Sequence, residues 1–109
     1  MIVMKESDFQ KRLIDDIQDK FPGAIVLKND PKYIQGIPDL TVLYKDHWAS
    51  LECKKDCKAK IQKNQEYCVD KLNNMSYSSF VYPENKEEVL NEMERVFKSK
   101  RKACVPKPK

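Results

Sequence analysis

The 109-residue chain reads as an α/β fold: a mixed central sheet with flanking helices, in the order α-β-β-β-α-β-α. Three observations predict it. Residues 36–54 hold two strand-like apolar runs around a short polar turn. Three segments, near 7–20, 61–74 and 85–97, repeat apolar residues at helical spacing. The last strand-like run, 77–82, follows a helix, so a right-handed crossover returns it to the sheet parallel to an earlier strand. The length suits one domain, over residues 1–97, with 98–109 as a basic, flexible tail.

The first helix is expected from Ser7, with Gln10 completing a capping box. Phe9, Leu13, Ile14, Ile17 and Phe21 form its apolar stripe, and Pro22-Gly23 ends it. With Ser7 as the cap, Glu6 stands just outside the helix. An acid there suits the positive end of the helix dipole. Residues 24–28, Ala24-Ile25-Val26-Leu27-Lys28, are rich in branched side chains, as a strand prefers. Asn29-Asp30-Pro31 marks a turn into a loop that exposes Lys32 and Tyr33. Gly36 permits the bend into the hairpin, and Pro38, which has no N–H, suits a strand start. The second helix, 61–74, carries Ile61, Cys68, Val69, Leu72 and Met75 on one face, and Gln65 falls on that stripe. A glutamine there is expected to be largely buried and in need of partners. After the strand at 77–82, Pro83 stops the run. A third helix begins near Asn85, with Glu88 completing a capping box and Val89, Leu90, Met93, Val96 and Phe97 facing inward.

Side chains alternate faces along a strand. Ala49, Leu51 and Cys53 therefore share one face, and Trp48, Ser50, Glu52 and Lys54 the other. Glu52 and Lys54 stand about 6.6–7 Å apart along the strand. Pairing Tyr44 with His47 across Lys45-Asp46 puts Asp39 opposite Glu52; an odd loop would separate them onto opposite faces. Two facing acids repel, and a cation between them removes the penalty. Carboxylate oxygens suit Mg²⁺, which keeps several waters for substrate phosphates. The plainer alternative makes Asp39 and Glu52 solvated strand residues with Lys54 as their salt bridge.

The start of the chain, Met1-Ile2-Val3-Met4-Lys5-Glu6, does not resemble a signal peptide, and no apolar run approaches the ~18 residues of a membrane span. The expectation is a cytoplasmic protein with no membrane partner. The four cysteines, Cys53, Cys57, Cys68 and Cys104, lack zinc-site spacing, and the single histidine, His47, lies at the hairpin turn. All four are expected to be free thiols, with Cys53 and Cys68 buried and Cys57 and Cys104 exposed. The net charge of +4 is uneven. Residues 98–109 hold six bases and no acid, so the remainder is slightly negative. A second basic run, Lys54, Lys55, Lys58, Lys60 and Lys63 against Asp56 alone, adjoins the hairpin. Basic patches of this kind attract a phosphate backbone.

Pro38-Asp39, a twelve-residue spacer and Glu52-Cys53-Lys54 resemble the signature of the PD-(D/E)xK nuclease superfamily. With the unit Gly36-Ile37-Pro38-Asp39-Leu40, Glu6 upstream and Gln65 downstream, the chain is similar to the small VRR-NUC nucleases of phages and bacteria, over roughly residues 5–97. The resemblance implies a restriction-endonuclease-like core and a Mg²⁺- or Mn²⁺-dependent DNA endonuclease. It implies that Asp39, Glu52 and the backbone carbonyl of Cys53 ligate the metal. It also implies that Lys54 stabilises charge or positions water, that Glu6 acts on the metal through water, and that Gln65 orients the site. Lys55, Lys58, Lys60, Lys63 and Lys32 are the expected DNA contacts. One small domain favours structure-selective cleavage of branched, flapped or four-way DNA, and a four-way junction would require a homodimer. A non-cleaving nucleic-acid-binding protein on the same fold is the alternative reading. A redox or zinc protein is disfavoured by the cysteine spacing.

Overall fold

The computed structural model describes residues 5–99. Three helices and four strands follow one another as α1 (Glu6–Lys20), β1 (Ile25–Lys28), β2 (Leu40–Tyr44), β3 (His47–Cys53), α2 (Lys63–Met75), β4 (Ser78–Val81) and α3 (Lys86–Lys98). The strands form one mixed sheet in the order β1-β2-β3-β4. β1–β2 and β2–β3 are antiparallel, whereas β4 joins β3 in parallel after the α2 crossover. The β2–β3 register pairs Tyr44 with His47 and Leu40 with Leu51, as strand alternation and an even loop predict. Lys45 makes the tight turn at φ +56°, the positive φ that the primed hairpin turns require at their first central residue.

One face of the sheet carries Leu40, Val42, Ala49, Leu51, Cys53 and Val81. These pack against Phe9, Leu13 and Ile17 of α1 and Val89, Leu90, Met93 and Phe97 of α3 in a single core. Burial of these side chains contributes roughly 1.5–3 kcal/mol each for the larger ones, before entropy is subtracted. The opposite face is covered by α2, which packs on β3 and β4. Ser50 and Ser78 meet there through a buried 2.8 Å hydrogen bond. With both faces of β3 covered, Glu52 and even Lys54 are buried, although the sequence alternates like a half-solvated strand.

The two ends of the hairpin differ. Around its turn, Phe21, Tyr44 and Phe97 form an aromatic cluster, and His47 Nε2 lies 2.9 Å from the Ser99 carbonyl. The other end carries the acids.

Several expectations are corrected. Ser7 does not cap α1: the N-cap is Lys5, without a side-chain bond, and Glu6 is the first helical residue. Glu6 and Asp8 in the first turn favour the helix N-terminus through charge instead. α2 begins at Lys63, not Ile61; Ile61 lies in the preceding loop and is exposed. Its N-terminus has a capping box made by Gln62 and Gln65. Asn85 does occupy the N-cap of α3, but its amide turns back to Tyr82 and Phe80 rather than capping the helix. Cys68 is only half-buried, while Cys53 is buried and Cys57 exposed; all three are free thiols. Cys104 lies outside the described residues, as does the tail beyond Ser99. Among the described residues, no helix is long and apolar enough to cross a membrane.

Candidate active site

Asp39 immediately precedes β2, and Glu52 is the penultimate residue of β3. Their side chains reach across between the strands, Glu52 to the backbone of Asp39 and Asp39 to the backbone of Cys53. The Asp39 N–H donates to Glu52 Oε1 at 3.2 Å, and the Cys53 N–H donates to Asp39 Oδ2 at 3.0 Å. Each carboxylate thus commits one oxygen to the neighbouring strand and leaves the other, Asp39 Oδ1 and Glu52 Oε2, outside those backbone bonds. Within an extended strand, the N–H and C=O of one residue point to the same edge. The Cys53 carbonyl therefore lies on the edge that faces Asp39.

Local structure fixes this position for Asp39. Pro38 is buried and cannot donate. The Asp39 carbonyl accepts from the Asn29 N–H at 2.8 Å, which extends the β1–β2 ladder past β1. The Asn29 side-chain amide then donates to the Pro38 carbonyl and to Thr41 Oγ1, both at 2.9 Å. Asn29 therefore clamps the chain on both sides of Asp39. Its sequence context, Asn29-Asp30-Pro31, marks only a turn.

Burial, and next the facing Asp39 carboxylate, push Glu52 up to about 8 from the ordinary 4.5; the Lys54 ammonium opposes them without prevailing. Glu52 is 3 % exposed, so water cannot screen the repulsion. Near neutrality and without a cation beside it, Glu52 therefore favours its protonated form.

Lys54 is buried on the same side of β3 as Glu52. Its ammonium donates to Gln65 Oε1 at 2.8 Å rather than forming a direct salt bridge with either acid. The same Gln65 oxygen accepts the Gln62 N–H at 3.2 Å. Gln65 is half-buried, less enclosed than its place on the apolar stripe implied. Its partner is nonetheless in the polar cluster at the hairpin end, as expected. The first turn of α2 thus holds Lys54 in place, and the cap of that helix and the setting of Lys54 share one oxygen atom.

α1 approaches from the other face of the sheet. Gln10 and Glu6 of that helix both lie close enough to the Cys53 thiol to act on it. Burial above all, then Asp39 and Glu52, push that thiol far above its ordinary range, so Cys53 is no nucleophile. Glu6 itself is exposed in the first turn of α1. Lys32, Lys55, Lys58, Lys60 and Lys63 are all exposed. The loop that carries Lys55, Lys58 and Lys60 is tied down by an Asp56 turn to the Lys58 N–H and by Glu84, which accepts the Cys57 N–H.

Among the described residues, no group of three or more His, Cys, Asp or Glu side chains could hold a metal ion. Two carboxylates, with a backbone oxygen beside them, are what the hairpin end offers. That set suits a hard cation which keeps much of its water, and is too small for an all-protein cage. No family model, no curated protein and no solved structure matches the chain.

Proposed function

We propose that this protein is a divalent-metal-dependent deoxyribonuclease that hydrolyses phosphodiester bonds, with Mg²⁺ or Mn²⁺ as cofactor and a restriction-endonuclease-like core of the VRR-NUC type. The observation that carries the reading is the pair Asp39 and Glu52, whose carboxylates accept from the backbone of Cys53 and of Asp39 and whose mutual repulsion favours a proton or a cation between them. Asp39, Glu52 and the Cys53 carbonyl would hold the cation. When bound, it would polarise the scissile phosphate and lower the pKa of a water at neutral pH.

The remaining roles fall to the chain's own residues. Lys54 presents a positive charge beside the acids, where charge grows on a phosphate under attack. Its bond to Gln65 orients the ammonium rather than neutralising it. Glu6, exposed at the start of α1, would act through water rather than as a direct ligand. Lys55, Lys58, Lys60, Lys63 and Lys32 bind the DNA backbone. A single small domain without a base-reading module favours branched, flapped or four-way DNA over a fixed sequence. Cutting a four-way junction symmetrically takes two sites, hence a homodimer. Ile25, Leu27 and Leu43, exposed on the outer half of the sheet, give such a dimer an apolar surface.

The direct test is incubation with linear, nicked, flapped and four-way DNAs, with and without Mg²⁺ or Mn²⁺. Metal-dependent cleavage that prefers a branched substrate is expected. Intact products throughout, with DNA still bound, would leave the non-cleaving binding protein as the function.

A further inference from the structure

The loop between β1 and β2 is built unlike a loose connection. Its backbone makes two successive turns, Tyr33 N–H to the Asp30 carbonyl at 3.1 Å and Ile37 N–H to the Ile34 carbonyl at 3.3 Å. Asp30 Oδ1 accepts the Lys32 N–H at 2.9 Å. Gly36, at φ +87°, packs so closely on α2 that a Cβ there would lie 2.7 Å from the Asn64 carbonyl oxygen. One turn further along α2, the Cys68 thiol meets the Gln35 carbonyl. The loop is therefore seated against α2 along a Gly36–Asn64 seam. Asp39 lies three residues beyond one side of that seam. Gln65, which holds Lys54, is next to the other.

The side chains carried outward from this seat are aromatic, apolar and cationic. Tyr33 is 86 % exposed and Ile34 46 %, and they line a cleft of about 250 Å³ with Asn29, Asp30 and Ile37. On α2, Lys63, Tyr67 and Lys71 follow at intervals of four, and so share one line along the helix. Tyr67 is 64 % exposed, with the Lys71 ammonium 5.8 Å from its ring centre. The acids Glu66 and Asp70 occupy a neighbouring line of that helix, and the Asp30 carboxylate is engaged in its own turn.

We propose that Tyr33, supported by Tyr67, is a stacking site for unpaired bases of a DNA strand whose phosphates lie along Lys32, Lys63 and Lys71. The proposal rests on the nuclease reading and deepens it, because it names the feature of the substrate that is recognised: a single-stranded segment beside the cleavage site. Aromatic faces set among lysines suit a nucleic acid strand, since every base has a face to stack and every linkage a charge to meet. A protein partner is disfavoured by the same lysines, which protein interfaces deplete. The seated backbone matters because its own turns and its packing on α2 leave the loop less freedom to lose when a ligand binds, so less of the stacking is offset.

The test uses the full chain with chelator present, so that binding is read without cleavage. Fluorescence anisotropy would compare a blunt duplex, a single strand and a duplex with a single-stranded tail, the tail carrying 2-aminopurine. The wild type should bind tailed and single-stranded DNA more tightly than the blunt duplex and quench the probe. Tyr33→Ala should lose roughly five-fold or more in affinity for the tail, together with the quench, while Tyr33→Phe retains both. Tyr33 is exposed, so thermal melts of these variants should match the wild type. Equal affinity of Tyr33→Ala and wild type for the tail, or an unquenched probe, would overturn the proposal. Cleavage of blunt duplex in Mg²⁺ without any stacking signal would overturn it and leave the nuclease reading standing. Stacking without metal-dependent cleavage of any DNA would do the reverse.

Discussion

A carboxyl group at Glu52 has two ways to relieve its crowding with Asp39: it can keep a proton, or share a cation. Its pKa is pushed up to about 8, so between about pH 4.5 and 8 the folded state holds a proton that the unfolded chain has released. Stability contributed by this group is therefore greatest at low pH and declines as pH rises through that window. Thermal melts of metal-free protein should show the midpoint falling by several degrees from pH 5 to pH 8, and Mg²⁺ or Mn²⁺ should recover it most at pH 8. Glu52→Gln imitates the protonated acid. It should flatten the pH dependence and hold DNA, yet abolish cleavage; cleavage by this variant at the wild-type rate would remove Glu52 from the chemistry. Asp39, Glu52 and Lys54 were legible from period-two alternation and an even loop. Asn29 was not, because its amide bonds positions nine and twelve residues away and leaves no local signature. Asn29→Ala should lose about 0.5–1.5 kcal/mol for each of those two bonds. Asp39 would then sit loosely, so cleavage should fall by a larger factor than the melting temperature alone would explain.

At the scale of elements, the start of α2 joins secondary structure to the site. Gln65 Oε1 both closes the capping box and receives the Lys54 ammonium. A variant at Gln65 therefore disturbs helix and site together, and only a comparison separates them. Gln62→Ala breaks the box but leaves the Lys54 bond available, whereas Gln65→Ala removes both. Each should destabilise by about 0.5–2 kcal/mol as a lost cap. Only Gln65→Ala should lower the cleavage rate well beyond that, and equal rates for the two would reduce Gln65 to a cap. The apolar stripes of α1 and α3 could be read from the sequence because burial periodicity reports them directly, and the parallel return of β4 because a helix precedes it. The α2 stripe holds only in part: Val69 is buried, but Ile61 and Met75 are exposed. Helix starts were harder. Ser7 looked like a cap, yet extended backbone at Lys5 and acids at Glu6 and Asp8 set the start of α1 earlier. Gln62 and Gln65 cap α2 in place of the serine or threonine usual at that position. Gly36 makes the bend its residue type suggests, but the close approach to Asn64 depends on tertiary packing that no local pattern encodes.

At the scale of the whole molecule, charge is divided between a folded body and a basic C-terminal stretch. Residues 100–109 hold Lys100, Arg101, Lys102, Lys107 and Lys109 and no acid, so the body without them is close to neutral. DNA binding must then draw either on that stretch or on the lysines beside the acids. The two sources can be separated by salt. Each phosphate contact on duplex DNA contributes about −0.9 to the slope of log affinity against log salt. The truncation should end after Ser99, because the Ser99 carbonyl faces His47 at the hairpin turn and an earlier cut would disturb the fold. If Lys32, Lys55, Lys58, Lys60 and Lys63 are the binding face, the full chain should show a steep slope. Deleting residues 100–109 should then make it shallower without abolishing it. Replacing Lys55, Lys58 and Lys60 together with alanine should lower the slope by up to about 2.7, whether or not the C-terminal stretch is present. Those three side chains are exposed, so the melting temperature should be nearly unchanged. Binding that disappears with the truncation alone, or that ignores the triple replacement, would place the DNA contacts in the C-terminal stretch and detach them from the Asp39–Glu52 pair.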